Sequence, residues 1–222
     1  MPPRGLLFDF GGTLVEEVAF NTRAGIELLV THAAYRPPQV SVEQIVERAE
    51  RISREVAQRR DQFHIETPWA SLTRLIHDVL GGRFDVPLGE LELPFWNAAA
   101  VTRPMPGARD ALRELHRSGL PMGVVSNTSF GQHVIRHELA KHGLADHLAA
   151  IVVSAEYAVR KPNPLLFEVG AARIGVASKD IWFMGDRLDT DVAGAKAAGM
   201  TAIHFGPDAT WPDLVAMFRN AR

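Results

Sequence analysis

The sequence predicts an α/β fold in which helices cover both faces of a parallel β-sheet. From residue 106 onward, short apolar segments alternate with helical segments, a pattern typical of parallel sheets wound on both faces. Leu6, Leu7 and Phe8 form a further apolar run, which predicts a strand buried on both faces. The residues between this run and residue 101 have helical periodicity instead. We therefore expect an all-helical insertion into the α/β core.

The expected insertion covers residues 16–100 and contains four helices. Apolar residues recur at helical spacing at 26–30 and again at 42–56, where Ser41 is suited to cap the helix start. A third helix is expected from Pro68 to the glycine pair at 81–82. A fourth is expected at about 88–100, broken by Pro94. Residues 1–15 and 101–222 then form the α/β core domain.

Strands of the core are expected at 5–8, 122–125, 150–153, 181–184 and 201–205. Helices are expected at 107–118, 131–142, 164–174, 191–198 and 212–219. In a parallel sheet the carboxyl ends of all strands lie at one edge, and ligands bind at that edge where the strand order reverses.

The bulk composition excludes several classes of protein. A chain of 222 residues with 46% hydrophobic content can bury a large core. Its net charge of -2 provides no long-range attraction for nucleic acid or an anionic membrane. The absence of cysteine excludes disulfides and thiolate chemistry. Because only four residues precede the first expected strand, we expect no signal peptide, and no apolar run approaches the roughly 20 residues of a membrane span. We expect a cytoplasmic protein.

Polar side chains follow the apolar strands at the points where these strands end. Each has an ordinary explanation alone, as a turn residue, a helix cap or a solvated loop lysine. Together they supply a carboxylate that can attack, a hydroxyl and an ammonium that hold an anion, and carboxylates for a hard cation. Phosphoryl transfer needs these groups. They are Asp9, Ser126, Lys161, Asp186 and Asp191.

Four motifs in order carry a resemblance to a known family. They are Asp9-Phe10-Gly11-Gly12-Thr13, Val124-Val125-Ser126-Asn127, Lys161-Pro162-Asn163-Pro164, and Gly185-Asp186 with Asp191 five residues later. With these motifs the chain resembles the haloacid dehalogenase-like hydrolase superfamily. The resemblance implies a Rossmann-like core and, in residues 16–100, a helical cap of the C1 type that covers the site and selects the substrate.

The resemblance also implies a role for each motif residue. Asp9 would attack phosphorus and form an aspartyl-phosphate, which divides a difficult hydrolysis into two steps. Ser126 and Asn127 would bind the phosphoryl group. Lys161 would neutralise both the phosphate and the attacking carboxylate.

A metal site is implied by the same motifs. Mg²⁺ would be held by the carboxylates of Asp9 and Asp186 and by the main-chain carbonyl of Gly11, with Asp191 as a ligand or just behind the ligands. The implied protein is a Mg²⁺-dependent phosphatase of small phosphorylated metabolites, a monomer or homodimer that binds neither nucleic acid nor membrane.

Gly11 departs from the family pattern. Members that hydrolyse phosphate esters usually carry an acid here, and its proton transfers contribute roughly 10²–10⁴-fold to the rate. The chain remains interpretable as a phosphatase that needs no acid or takes one from the cap, with His64 and Glu66 as candidates. It could instead be a metal-independent 2-haloacid dehalogenase-like hydrolase, although Asp186 and Asp191 would then be surplus. A third interpretation is a scaffold of weak activity that binds a phosphorylated ligand or a protein partner.

Overall fold

A computed structural model describes residues 2–206 and 209–221. Its strands are β1 (Gly5–Phe8), β2 (Val15–Phe20), β3 (Ala100–Pro104), β4 (Met122–Ser126), β5 (Ala150–Val153), β6 (Ile181–Gly185) and β7 (Thr201–His204). Its α-helices are α1 (Thr22–His32), α2 (Val42–Phe63), α3 (Trp69–Val79), α4 (Leu88–Ala99), α5 (Ala108–Arg117), α6 (Gln132–Lys141), α7 (Ser154–Tyr157), α8 (Pro164–Ile174), α9 (Ala193–Ala197) and α10 (Trp211–Ala221).

The predicted parallel sheet is confirmed, with five strands in the order β5-β4-β1-β6-β7. The central strand β1 pairs in parallel with β4 on one side and β6 on the other. Phe8 packs into the hydrophobic cluster on one face of the sheet and Leu7 into the cluster on the opposite face. Because β1, β4 and β6 are parallel neighbours, the residues that follow them meet at one edge of the sheet.

Helices α1 to α4 form an inserted four-helix segment, residues 22–99, with its own hydrophobic cluster. Ile26, Ile45, Trp69 and Phe95 are among the buried side chains of this cluster. The predicted N-cap of α2 is confirmed, since the Ser41 hydroxyl accepts a hydrogen bond from the Gln44 backbone N–H. Across the described parts of the chain, 2–206 and 209–221, every helix is too short or too polar to traverse a lipid bilayer.

Helix α4 continues through Pro94, so the expected break there is wrong. Pro94 supplies no backbone donor to the helix. The next two side chains nevertheless anchor the following turn: the Phe95 ring lies 5.0 Å from that of Trp69, and the Trp96 ring lies 4.9 Å from that of Phe130. This aromatic packing stabilises the helix beyond the proline.

The sequence pattern missed an antiparallel ribbon formed by β2 and β3. Residues 16–20 are therefore a strand, where helical character was expected. Their alternation is hidden because the register shifts at a bulge between Glu17 and Ala19. Both chain connections between the sheet and the four-helix segment run through this ribbon. The division into domains at residues 15 and 101 stays a prediction.

Glu138 on α6 is a buried carboxylate that ties the four-helix segment and the ribbon to the core. The Trp96 indole N–H donates to its Oε2 at 2.7 Å, the Lys141 ammonium donates to Oε1 at 2.9 Å, and the Thr102 hydroxyl also donates to Oε1. Burial alone would raise the pKa of Glu138, but these hydrogen bonds outweigh it and lower the pKa.

Glu138→Gln is expected to lower the free energy of unfolding at neutral pH by about 1.5–3 kcal/mol, since a charged acceptor of several hydrogen bonds is lost. The lowered pKa of Glu138 means that its contribution is present above the unfolded-state pKa and is lost as the pH falls through the folded-state pKa. The difference between variant and wild type should therefore shrink in acid. Urea unfolding at several pH values measures it, with the exposed Glu168→Gln as control, and a difference that grows in acid would contradict this account.

Candidate active site

The structure brings together four of the residues predicted to meet at the sheet edge. Asp9 follows β1, Lys161 lies in the loop between α7 and α8, and Asp186 follows β6. Asp191 lies in a π-helical turn, Leu188–Val192, that precedes α9 where one helix over 191–198 was expected. Carboxylate oxygens of Asp9, Asp186 and Asp191 all lie within 4.8 Å of one another.

The Lys161 ammonium lies between two of these carboxylates and is almost fully buried. Its Nζ is 2.6 Å from Asp9 Oδ1 and 2.6 Å from Asp191 Oδ1, and it donates to the Val125 carbonyl at 2.9 Å. Burial alone would lower the pKa of Lys161, but Asp9 and Asp191 outweigh burial and raise it. The ammonium is therefore charged at neutral pH.

Asn127 holds the backbone of this lysine. The Asn127 side-chain N–H donates to the Lys161 carbonyl at 3.0 Å, and the Lys161 backbone N–H donates to the Asn127 side-chain oxygen at 2.8 Å. Both amide atoms of Asn127 are thus engaged with the loop. Its predicted contact with substrate stays a prediction, and the geometry gives Asn127 a direct part in positioning Lys161.

Asp9, Asp186 and Asp191 form an acidic cluster, which carries more negative charge than Lys161 can balance. Burial raises the pKa of Asp9 to about 7, despite the opposing effect of Lys161. Burial and the neighbouring Asp191 also raise the pKa of Asp186. Within the described residues, the Asp186 Oδ1 atom is buried without a hydrogen-bond partner. Three carboxylates around one ammonium, with an unsatisfied oxygen among them, are a donor set suited to a hard divalent cation.

Two adjacent glycines after Asp9 have opposite surroundings. Gly12 has a φ of +73°, and a Cβ placed on it would lie 2.4 Å from Asp186 Oδ2. A Cβ on Gly11 would meet no atom within 4 Å. The position of the missing acid is therefore open space beside Asp9, whereas Gly12 allows Asp186 to approach the turn.

A cavity of about 890 Å³ lies over this cluster, between the sheet edge and the four-helix segment. Gly11 and Ser126 line it with the acidic cluster. A smaller apolar cavity of about 170 Å³ lies inside the four-helix segment and shares lining residues with the large one. The shared residues are Phe20, Arg60, Ser129 and Phe130.

The two acid candidates from the four-helix segment differ in their surroundings. His64 lines the large cavity. The Glu66 carboxylate is buried and accepts hydrogen bonds from the Ser154 hydroxyl at 2.7 Å, from the Thr67 backbone N–H at 3.1 Å and from the Arg160 guanidinium. Its partner Arg160 directly precedes Lys161 in the chain.

Several cavity residues are not singled out by any pattern in the sequence, among them Glu17 and Arg160. Glu17 lines the cavity from β2, and Arg160 lines it beside Lys161. Successive side chains of a strand point to opposite faces. Had the strand been recognised, this alternation would have placed Glu17 on the same face as Val15. Nothing short-range marks Arg160, because its partner Glu66 is 94 residues away.

Comparison with known proteins shows the family to which the chain belongs. Residues 3–199 match the haloacid dehalogenase-like hydrolases, and the chain belongs to this family of hydrolases. Among solved structures, a phosphatase of this superfamily from Thermococcus onnurineus has a TM-score of 0.62. The similarity covers 96% of each chain at 23% sequence identity, which confirms the fold.

Particular relatives include both phosphatases and dehalogenases. The glyceraldehyde 3-phosphate phosphatase of Methanopyrus kandleri is 35% identical over 105 residues, which are 47% of this chain and 44% of that protein. Haloacetate dehalogenase H-2 of Moraxella sp. is 34% identical over 98 residues, 44% of this chain and 42% of that protein. Each match spans less than half of the relative's length.

Gly12→Ala is expected to destabilise the fold by about 1–3 kcal/mol, since alanine would have to adopt the left-handed backbone of this position and its Cβ would displace Asp186. Gly11→Ala is the matched control next to it, and its side chain enters open space. Thermal and urea unfolding of both variants measure the difference. Equal stability of the two variants would contradict the close approach of Asp186 to the turn.

Proposed function

We propose that this protein is a Mg²⁺-dependent hydrolase of small phosphorylated metabolites. The observation that carries the proposal is the Asp9 carboxylate in contact with a buried ammonium and beside two further carboxylates, all at the base of a large cavity. These groups match what phosphoryl transfer requires, which is a nucleophile and compensation of charge on the transferred group. The relative named as a glyceraldehyde 3-phosphate phosphatase supports the same class of substrate.

In the proposed reaction the Asp9 carboxylate attacks phosphorus, the ester P–O bond breaks, and water later releases phosphate from the aspartyl-phosphate. Lys161 holds the attacking oxygen and compensates its charge, and the Ser126 hydroxyl donates to a phosphoryl oxygen. Mg²⁺ bound by Asp9, Asp186, Asp191 and the Gly11 carbonyl would supply further charge neutralisation. The excess of negative charge in the cluster supports such a cation.

The four-helix segment is proposed to act as the cap of this site. It supplies a wall of the cavity that mixes apolar and cationic side chains, including Trp96 and Arg60. A small organic phosphate, with a compact apolar or polar body beside its phosphoryl group, suits such a lining. The state of assembly, monomer or homodimer, stays a prediction.

A dehalogenase is the second candidate. The open space at Gly11 and the haloacetate dehalogenase among the relatives favour it. The unsatisfied Asp186 oxygen and the charge excess count against it, because displacement of halide at carbon needs no metal site. A pooled screen of phosphorylated metabolites, aryl phosphates and 2-haloacids, each with Mg²⁺ and with EDTA, separates the two. Activity on haloacids that survives EDTA would establish the dehalogenase.

Asp9→Asn is expected to lower phosphate release below detection, since the neutral amide cannot form the acyl-phosphate. The measurement is phosphate release from the best substrate of the screen. The control is Asp110→Asn on the exposed face of α5, for which full activity is expected. Wild-type turnover in Asp9→Asn would contradict the covalent mechanism. Inactivity of the wild type on every substrate, with thermal stabilisation by a phosphorylated ligand, would instead indicate a binding protein.

Mg²⁺ is expected to raise the melting temperature of the wild type, because a ligand that binds only the folded state stabilises it by mass action. The same addition should shift Asp186→Asn much less, since the variant lacks one anionic ligand. Differential scanning fluorimetry against Mg²⁺ concentration, with EDTA as the blank, measures both proteins. An identical shift in the two proteins would place the cation elsewhere.

A further inference from the structure

We propose that Glu17 on β2 is the proton donor that takes the place of the acid missing at position 11. The inference rests on the proposed phosphatase function, which requires a proton for the departing ester oxygen whenever that oxygen is a poor leaving group. Glu17 belongs to the core-facing end of the ribbon and lines the same cavity as Asp9 and Gly11.

The backbone fixes Glu17 close to the turn that holds Gly11. The Gly12 N–H donates to the Val15 carbonyl at 2.9 Å, and the Val15 N–H donates to the Phe10 carbonyl at 3.0 Å. Strand β2 therefore starts in direct contact with the turn. Glu17 lies two residues further, which is about 7 Å along a strand, and faces the same side as Val15. A Cβ placed on Gly11 would meet no atom within 4 Å, so no side chain at position 11 stands at this end of β2.

Neighbouring acids on β2 face opposite sides of the ribbon. Glu16 accepts a hydrogen bond from the Arg103 side chain at 2.6 Å, and this contact lowers the pKa of Glu16. Partial burial raises the pKa of Glu17, and among the described residues its carboxyl has no hydrogen-bond or ion-pair partner. A raised pKa favours the protonated form that a general acid needs. Glu17 also keeps exposed surface, through which water can restore its proton.

Other charged groups line the cavity around Glu17. They come from the end of α2 and the residue after it, from the loop before α8, and from the segment after β6, and are Arg60, Asp61, His64, Arg160, Arg187 and Asp189. Arg187 and Asp189 pair with each other at 3.0 Å, and Thr102, which lies opposite Glu17 on β3, is not titratable. Asp61 and His64 are therefore the rival donors that an experiment must separate from Glu17.

In the proposed steps Glu17 gives its proton to the departing ester oxygen and regains one from water. As Asp9 attacks, the ester P–O bond breaks, its electron pair stays on the ester oxygen, and that oxygen takes the proton of Glu17 to leave as an alcohol. The Glu17 carboxylate then takes a proton from the water that attacks the aspartyl-phosphate. The bond between phosphorus and the Asp9 oxygen breaks, inorganic phosphate leaves, and both acids return to their starting forms.

The test compares an alkyl phosphate with p-nitrophenyl phosphate, whose leaving group departs without a proton. For Glu17→Gln we expect kcat/KM on the alkyl phosphate to fall by about 10²–10⁴-fold. On p-nitrophenyl phosphate we expect less than about a tenfold loss, which also shows that the variant is folded. Glu16→Gln, the neighbour on the other side of the ribbon, is the matched control and should retain activity on both substrates. Adding Gly11→Asp to Glu17→Gln should recover alkyl phosphate hydrolysis.

Equal losses on both substrates, or no loss on the alkyl phosphate, would overturn the role of Glu17 and leave the phosphatase proposal standing. A selective loss in His64→Gln or in Asp61→Asn, with Glu17→Gln unchanged, would assign the proton to that residue instead. If the wild type hydrolyses neither substrate, the phosphatase proposal itself fails, and this inference fails with it.

Discussion

The contact on which the site depends is the buried Lys161 ammonium between the Asp9 and Asp191 carboxylates. A buried charge without partners would be strongly destabilising, because its hydration is lost. Here three parts of the core supply its contacts: the end of β1, the Val125 carbonyl of β4 and the turn after β6. The sheet order is what makes these contacts simultaneous. The lysine therefore connects the packing of the core to the electrostatics of the cavity floor.

Much of the core and the floor of the site could be predicted from the sequence. The parallel sheet follows from the alternation of short apolar runs with helical segments, and carboxyl ends of parallel strands share an edge by geometry. Asp9, Lys161 and Asp186 follow such runs directly or in the next loop. Their convergence therefore needed no knowledge of side-chain packing, only strand direction and neighbourhood.

The parts that could not be predicted depend on pairs distant in sequence or on local irregularity. Glu138 meets Trp96 across 42 residues, and no periodicity links them. The ribbon was hidden by the bulge after Glu17, which removes the two-residue alternation by which strands are recognised. A break was expected at Pro94 because proline removes a backbone hydrogen bond from any helix that contains it. The aromatic packing that offsets this loss forms only in the folded molecule.

Both covalent connections between the sheet and the four-helix segment pass through the ribbon of β2 and β3, which makes the ribbon the place where a hinge between them would lie. In hinge closure a few residues absorb the change in backbone angles, and atoms close to the axis are displaced least. Because backbone hydrogen bonds hold the start of β2 on the turn after Asp9, a swing of the four-helix segment about the ribbon would move the cavity walls formed by Trp96 and Arg60 more than the Glu17 carboxyl. The width of the cavity would then change while the proposed proton donor stays beside the turn at Gly11.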